Sequence, residues 1–156
     1  MRQQQSGHIF NTSSVAGLTA DAFGSIYSAT KFAVNAISYG TAAELKPFGI
    51  HVTNIIPGYF RTEFLNPNSY SVAHSSSPYA EMFTFVNQFL KEKNGNQAGD
   101  PHKAALLYLK VANMDNPPLD LPMGSDAYDA VVAVSNKKKQ NLDAVKELTL
   151  STDFDV

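Results

Sequence analysis

The run from Ser25 to Lys46 constrains this chain more than any other stretch. It consists of helix formers throughout, stops at Pro47 and Gly49, and leads directly into "HVTNIIPG", residues 51–58, which is β-branched and apolar. Proline cannot continue a helix, and glycine takes the left-handed conformation that closes one. Ahead of the run, "GHIFNTSS" (7–14) sets Ile9 and Phe10 between a glycine and a group of small polar residues. That pattern predicts a short buried strand ending at a loop, with the Gly- and Ala-rich "VAGLTADAFGS" as the link to the helix. A strand, a helix and a strand joined so closely make a βαβ unit. Such a unit requires a parallel pair with a right-handed crossover, and the fold class is α/β. Within the helix, Phe32, Ala36, Tyr39 and Ala43 share one stripe.

The remainder is less regular. Residues 66–78, "NPNSYSVAHSSSP", contain five serines and two prolines and predict a loop. "YAEMFTFVNQFLKEKNG" (79–95) predicts a helix, apolar on one face around Met82, Phe83, Val86, Phe89 and Leu90. Asp100 is placed as an N-cap with Pro101 at the first helical position, starting a helix that runs to about Met114. A short strand and turn are expected in 117–127, and a last helix from about Asp126 to Leu148. Lys137, Lys138 and Lys139 on that helix read as a solvated face. No internal repeat and no linker divides the chain, so residues 1–156 are expected to form one domain.

Composition narrows the function classes. The 12 basic residues are outnumbered by 14 acidic ones, for a net charge of −2, which argues against nucleic acid as a partner. Cysteine is absent, so disulfides and thiolate metal sites are excluded. No apolar run approaches the roughly 18 residues of a membrane span, and "MRQQQSGHIF" lacks the apolar core of a secretory signal. No membrane association and a cytoplasmic location are expected. His8, His51, His74 and His102 are scattered and read as surface or packing residues, with no metal site expected. His74 alone stands in a loop where it could touch a substrate.

Chemistry enters through Tyr27 and Lys31, four residues apart and hence on one helix face. Alone, the pair is a weak signal in a chain with seven tyrosines. Its setting makes it informative. Ser14 closes the first strand, Pro57-Gly58 closes the second, and Thr62 follows. Ligands of open parallel sheets bind at the carboxyl ends of the strands, where all these residues are expected to gather.

Taken together, "GHIFNTSSVAG", "YSATK", "NIIPGYFRT" and, more loosely, "DPHKAA" and "LPMGSDA" occur in an order and spacing that resembles the short-chain dehydrogenase/reductase family over nearly the whole chain. The resemblance implies part of a Rossmann-type, doubly wound parallel sheet. It also implies oxidation or reduction of a small-molecule alcohol or carbonyl by hydride exchange with NAD or NADP, NADP being favoured. Tyr27 would be the general acid in reduction and the base in oxidation. Lys31 would hydrogen-bond the nicotinamide ribose and bias the phenol. Ser14 would hold the substrate oxygen, with Ser13 as the alternative. Pro57, Gly58, Tyr59 and Phe60 would lie along the nicotinamide with the Thr62 hydroxyl beside them, although many relatives carry an aliphatic residue in place of Phe60. Residues 61–95 would form the substrate-loop region, with a lid between Arg61 and about Pro78. Arg61 could grip an acidic substrate, but its neighbour Glu63 favours a surface ion pair. The full-length enzyme would be a homo-oligomer.

The physics of such a site is independent of the resemblance. A free phenol titrates near pH 10, about three units above the working range of a general acid–base catalyst. One ammonium at ~4 Å supplies an electrostatic bias of that order. A hydroxyl donor aimed at the developing oxyanion adds to it.

One part of the expected family pattern is missing. The nine glycines contain no Gly-x-Gly, so the glycine-rich turn that holds a pyrophosphate at a helix N-terminus is absent. The chain therefore reads as the carboxyl-terminal portion of one NAD(P)-binding domain, with the glycine-rich first half absent. Its first strand is expected to expose an unpaired edge, and the chain alone to be marginally stable and without dinucleotide affinity. Two rivals stand beside the oxidoreductase reading. A nucleotide-sugar epimerase or dehydratase also uses Tyr-x-x-x-Lys, but the Pro57–Thr62 segment and the short carboxyl-terminal region speak against it. The other rival is a non-catalytic module that pairs with a full-length relative through the Tyr27 helix.

Overall fold

The computed structural model describes residues 1–69 and 78–154; His74 lies outside them. Three strands form one parallel sheet in the order β1 (Gly7–Thr12), β2 (Ile50–Pro57), β3 (Asp120–Met123). Five helices accompany them: α1 (Ser25–Leu45), α2 (Ala80–Lys93), α3 (Pro101–Ala112), α4 (Ser125–Ala144) and α5 (Lys146–Leu150). The parallel α/β class expected from the βαβ pattern is observed. Register runs from Gly7 opposite Ile50 to Thr12 opposite Ile55, and from Asn54 opposite Asp120 to Pro57 opposite Met123.

The central strand is the buried one. Ile50, Val52, Ile55 and Ile56 of β2 join Leu65, Val111, Met123 and Ala127 in the core. Among the described residues β1 is paired on one side only, and it is half-exposed along most of its length. It presents the open edge expected of it, the kind of surface that invites pairing with another chain. Helices cover both faces of the sheet. On one, Asn11 Nδ2 donates to Ser38 Oγ of α1 (3.0 Å) and Asn54 Nδ2 to Asn35 Oδ1 (3.0 Å). On the other, the Phe10 ring meets Tyr108 of α3 with centres 5.4 Å apart. This is the doubly wound arrangement.

Local signals set most boundaries. Gly49 closes the turn after α1 at φ 65, a region that favours glycine. The Asp100 carboxylate accepts from the His102 and Lys103 N–H groups, capping α3. β1 ends at Thr12 rather than 14: the Ser13 N–H still reaches Ile55 O (2.8 Å), but Ser14 already caps the 3₁₀ turn Val15–Gly17 that leads the chain off the sheet. The last helix is interrupted at Val145 (φ −110, ψ 10) instead of continuing to Leu148. From Ser135 onward every residue of α4 and α5 is exposed, so no packing enforces a continuous helix there.

The face that α1 turns to the sheet is not its apolar stripe. Ser28, Asn35 and Ser38 are buried, while Phe32 and Tyr39 are each about two-fifths exposed. Small polar side chains let the helix lie close to the strands, and they are satisfied there: Ser38 Oγ donates to Val34 O at 2.7 Å.

Candidate active site

The turn after β1 carries Ser13 and Ser14, which do different things. Ser13 is buried and its Oγ donates to Lys31 O (3.1 Å). Ser14 has an extended backbone and caps a single 3₁₀ turn, Val15–Gly17, by accepting from the Ala16 N–H (3.1 Å). Its own O–H is left to donate elsewhere. Gly17 closes the turn against α1. A Cβ there would stand 2.6 Å from Ser13 Oγ, 2.9 Å from Asn35 Nδ2 and 3.0 Å from Lys31 O, so only glycine fits. Asn35 completes the attachment, donating to Gly17 O at 2.8 Å.

Tyr27 sits in the first turn of α1, two-fifths exposed, with Lys31 one turn later. The Lys31 ammonium donates to Thr12 O (3.0 Å), at the carboxyl end of β1, and lies 5.7 Å from the centre of the Tyr27 ring. One cation thus joins the strand end that precedes Ser14 to the phenol. The Phe64 ring stands 6.2 Å from the Tyr27 ring, centre to centre.

The segment after β2 is held by β3 and α4. The Gly58 N–H donates to Met123 O (3.0 Å), and the Tyr59 N–H to Asp126 Oδ2 (2.7 Å). A Cβ on Gly58 would collide with the Asp126 carboxylate. Phe60 forms a parallel bridge with Gly99 made by its neighbours: Gly99 N–H donates to Tyr59 O and Arg61 N–H to Gly99 O. The Phe60 N–H is thereby left without a partner among the described residues. Thr62 caps a second 3₁₀ turn, Glu63–Leu65, by accepting from the Phe64 N–H (3.3 Å).

Arg61 and Glu63 do not pair. Arg61 donates from Nε (3.3 Å) and Nη2 (3.0 Å) to Gln97 O, and Glu63 accepts from Asn66 Nδ2 (2.7 Å). Among the described residues the one salt bridge is Lys139–Asp143, on exposed α4. The guanidinium finds a carbonyl inside the fold, which holds it in place better than a side chain free to rotate in water. The Tyr59 phenol is pushed up in pKa, first by burial and then by the Asp21 and Asp126 carboxylates. Asp21, Asp126, Asn35 and Gln97 had no role assigned from sequence. Asp126 lies in the quoted "LPMGSDA", so a signal existed for it; the others have no motif.

The family model for short chain dehydrogenases matches residues 1–71. A solved short-chain dehydrogenase from Streptomyces avermitilis matches 98% of this chain and 55% of its own, with a TM-score of 0.81 and 34% identity. The chain belongs to the short-chain dehydrogenase family. Among curated relatives, Oxidoreductase BOA17 of Botryotinia fuckeliana is 33% identical over 97% of this chain and 55% of its own length. A 3-ketodihydrosphingosine reductase of Bacteroides thetaiotaomicron is 32% identical over 80% of this chain and 46% of its own. The chain thus spans about half the length of the curated relatives it matches. Those relatives are described as oxidoreductases or reductases, and members of the family generally use NAD(P). Among its described residues no helix is long and apolar enough to cross a membrane, and no three His, Cys, Asp or Glu residues cluster as metal ligands would.

The residues present fit the nicotinamide end of that cofactor. The uncommitted Phe60 N–H can donate to a carboxamide, the Thr62 O–H stands two residues on, and Lys31 and Tyr27 occupy the carboxyl end of β1. For the pyrophosphate end, the sequence offers no Gly-x-Gly turn.

Proposed function

We propose that this chain carries the catalytic centre and the nicotinamide-facing part of an NAD(P)-dependent oxidoreductase that interconverts a carbonyl and an alcohol. NAD(P), when bound, supplies or accepts the hydride. The Tyr27 O–H gives a proton to the substrate oxygen in reduction and takes it back in oxidation. The Ser14 O–H donates to that same oxygen and holds it near the phenol, stabilising negative charge as it develops. Lys31 keeps a positive charge beside the phenol and has N–H groups left for a ribose hydroxyl. The Phe60 N–H and Thr62 O–H orient the carboxamide; Pro57, Gly58 and Tyr59 hold that backbone in place.

The observation that carries this reading is the position of Lys31 Nζ, 3.0 Å from Thr12 O and 5.7 Å from the Tyr27 ring centre. It supports the reading by setting the cation beside the Tyr27 ring and against the strand end two residues before Ser14, and open parallel sheets bind ligands at such ends. Residues 1–156 belong on this reading to one domain, with 61–95 as its substrate-loop region, in a cytoplasmic enzyme that self-associates. NADP is favoured over NAD. Turnover is expected of a form that adds a glycine-rich dinucleotide turn, and this chain alone should show no saturable NADPH fluorescence enhancement.

The test is Tyr27→Phe in a complete form of the enzyme. Turnover should vanish while NADPH affinity stays unchanged; retained turnover would remove Tyr27 from the acid–base role. One observation favours a second reading, a non-catalytic module that pairs with a full-length relative. The face of α1 turned away from the sheet presents Ile26 and Ile37 to solvent, apolar side chains suited to a partner. Light scattering after size exclusion, set beside the hydride-transfer assay, separates the two.

A further inference from the structure

The side chains gathered around Tyr27 are aromatic, and the nearby charges are already engaged. Phe64 is 63% exposed, yet its ring lies 6.2 Å from that of Tyr27. Phe23, just ahead of α1, stacks on Phe83 of α2 with ring centres 3.9 Å apart and planes 26° from parallel. Phe23 holds that stack from a backbone at φ 63, in the left-handed region that bulky side chains avoid. Such a conformation persists only where the surroundings over-determine it, and these positions concentrate at binding sites. The same stack ties α2 to the loop that leads into Tyr27. Phe89, farther along α2, meets Tyr59 edge-on at 6.3 Å.

The charged groups point the same way. Arg61, the cation nearest in sequence to Phe64, spends two nitrogens on Gln97 O. Lys93 lies over the Tyr59 ring, 5.1 Å from its centre. Glu63 is hydrogen-bonded to Asn66, and the Asp126 carboxylate accepts from the Tyr59 N–H at 2.7 Å. An ionised acid would meet the Asp126 carboxylate and find Arg61 withdrawn, with Lys31, itself bonded to Thr12 O, as the cation beside Tyr27. An uncharged ring would meet faces and edges of other rings at the separations aromatic pairs favour.

We infer that the substrate is an uncharged ketone, aldehyde or alcohol bearing an aromatic or similarly bulky apolar group, seated between Phe64 and the Phe23–Phe83 stack. This rests on the oxidoreductase reading and specifies its substrate class. Every residue of the wall belongs to this chain, so binding is expected without turnover.

The test titrates this chain with 6-propionyl-2-(dimethylamino)naphthalene, an uncharged aryl ketone whose emission shifts to the blue in apolar surroundings. Saturable binding is expected. Phe64→Ala and Phe83→Ala should each weaken it by about fivefold or more, since each removes an aromatic contact. Phe85→Ala, on the same helix but outside the cluster, should change it by less than about twofold. Phe64 and Phe85 are largely exposed, so neither truncation threatens the fold, and far-UV circular dichroism checks Phe83→Ala. Unlabelled 2-acetylnaphthalene should displace the probe where 2-naphthoate at equal concentration does not. Absence of saturable binding, equal displacement by the carboxylate, or a Phe85→Ala effect as large as those at Phe64 and Phe83 would overturn the inference. No turnover is read, so a Tyr27→Phe enzyme that kept its activity would sink the catalytic assignment and leave this result standing.

Discussion

Replacing Asn35 with alanine would remove the clasp between α1 and the turn that presents Ser14. Asn35 is 6% exposed and its amide is used at both ends: Nδ2 donates to Gly17 O at 2.8 Å, and Oδ1 accepts from Asn54 Nδ2 at 3.0 Å. The two losses are unequal. Gly17 is buried, and its carbonyl would be stranded, which costs about 1–3 kcal/mol for an unsatisfied buried group. Asn54 Nδ2 still reaches Asp120 Oδ1 at 2.9 Å, so its loss is nearer the ~1 kcal/mol of an ordinary hydrogen bond. The expected destabilisation is about 2–4 kcal/mol, a large share of the ~5–15 kcal/mol that holds a domain together. Urea unfolding followed by far-UV circular dichroism reads it as a midpoint lowered by about 1 M with unchanged slope. Asn35→Asp separates the two contributions, because it keeps an acceptor for Asn54 and sets a carboxylate against the Gly17 carbonyl. It should be at least as damaging as alanine at neutral pH. If Asn35→Ala shifted stability by less than about 0.5 kcal/mol, Gly17 O would have found water and the clasp would be incidental.

Two further predictions concern neighbouring parts of the fold. Gly58→Ala drives a methyl into the Asp126 carboxylate that holds the Tyr59 N–H; the thermal midpoint should fall by about 5 °C, and by much less in an Asp126→Ala background. An equal fall in both backgrounds would show that Asp126 is not what the methyl meets. His8 is held below its ordinary value of 6.5 by burial and then by His51. Its neutral form is therefore the one the fold favours, and the unfolded chain takes up the proton first. The stability it contributes is fully present above pH 6.5 and drains away as pH falls through the folded value. Urea midpoints measured at pH 7 and pH 5 should differ less in His8→Gln than in the parent chain; an unchanged difference would place the acid sensitivity elsewhere.

Much of this molecule is written in short-range chemistry. Pro47 and Gly49 stop α1, Asp100 with Pro101 starts α3, and the apolar runs around Ile9 and Ile55 pair in parallel because the helix between them allows little else. The meeting of Lys31 with the end of β1 follows from the same logic, since a βαβ unit brings its strand ends to one edge. Each of these signals acts within a few residues of chain, where propensity, capping and steric limits operate.

Other features depend on distant partners. A helical wheel of α1 picks out Phe32 and Tyr39, yet the sheet takes Ser28, Asn35 and Ser38, whose hydrogen bonds exist only once Asn11, Gly17 and Asn54 are in place. Arg61 and Glu63 look like a pair in sequence; Gln97, far along the chain, offers a fixed carbonyl instead. The left-handed Phe23 and its stack on Phe83 likewise arise from two segments meeting. What the residues themselves determined is the class of fold, because that rests on local conformational energy. Which groups are paired, buried or left open to a ligand was decided by packing, because a polar side chain inside the fold must go to whichever partner the assembled elements bring within reach.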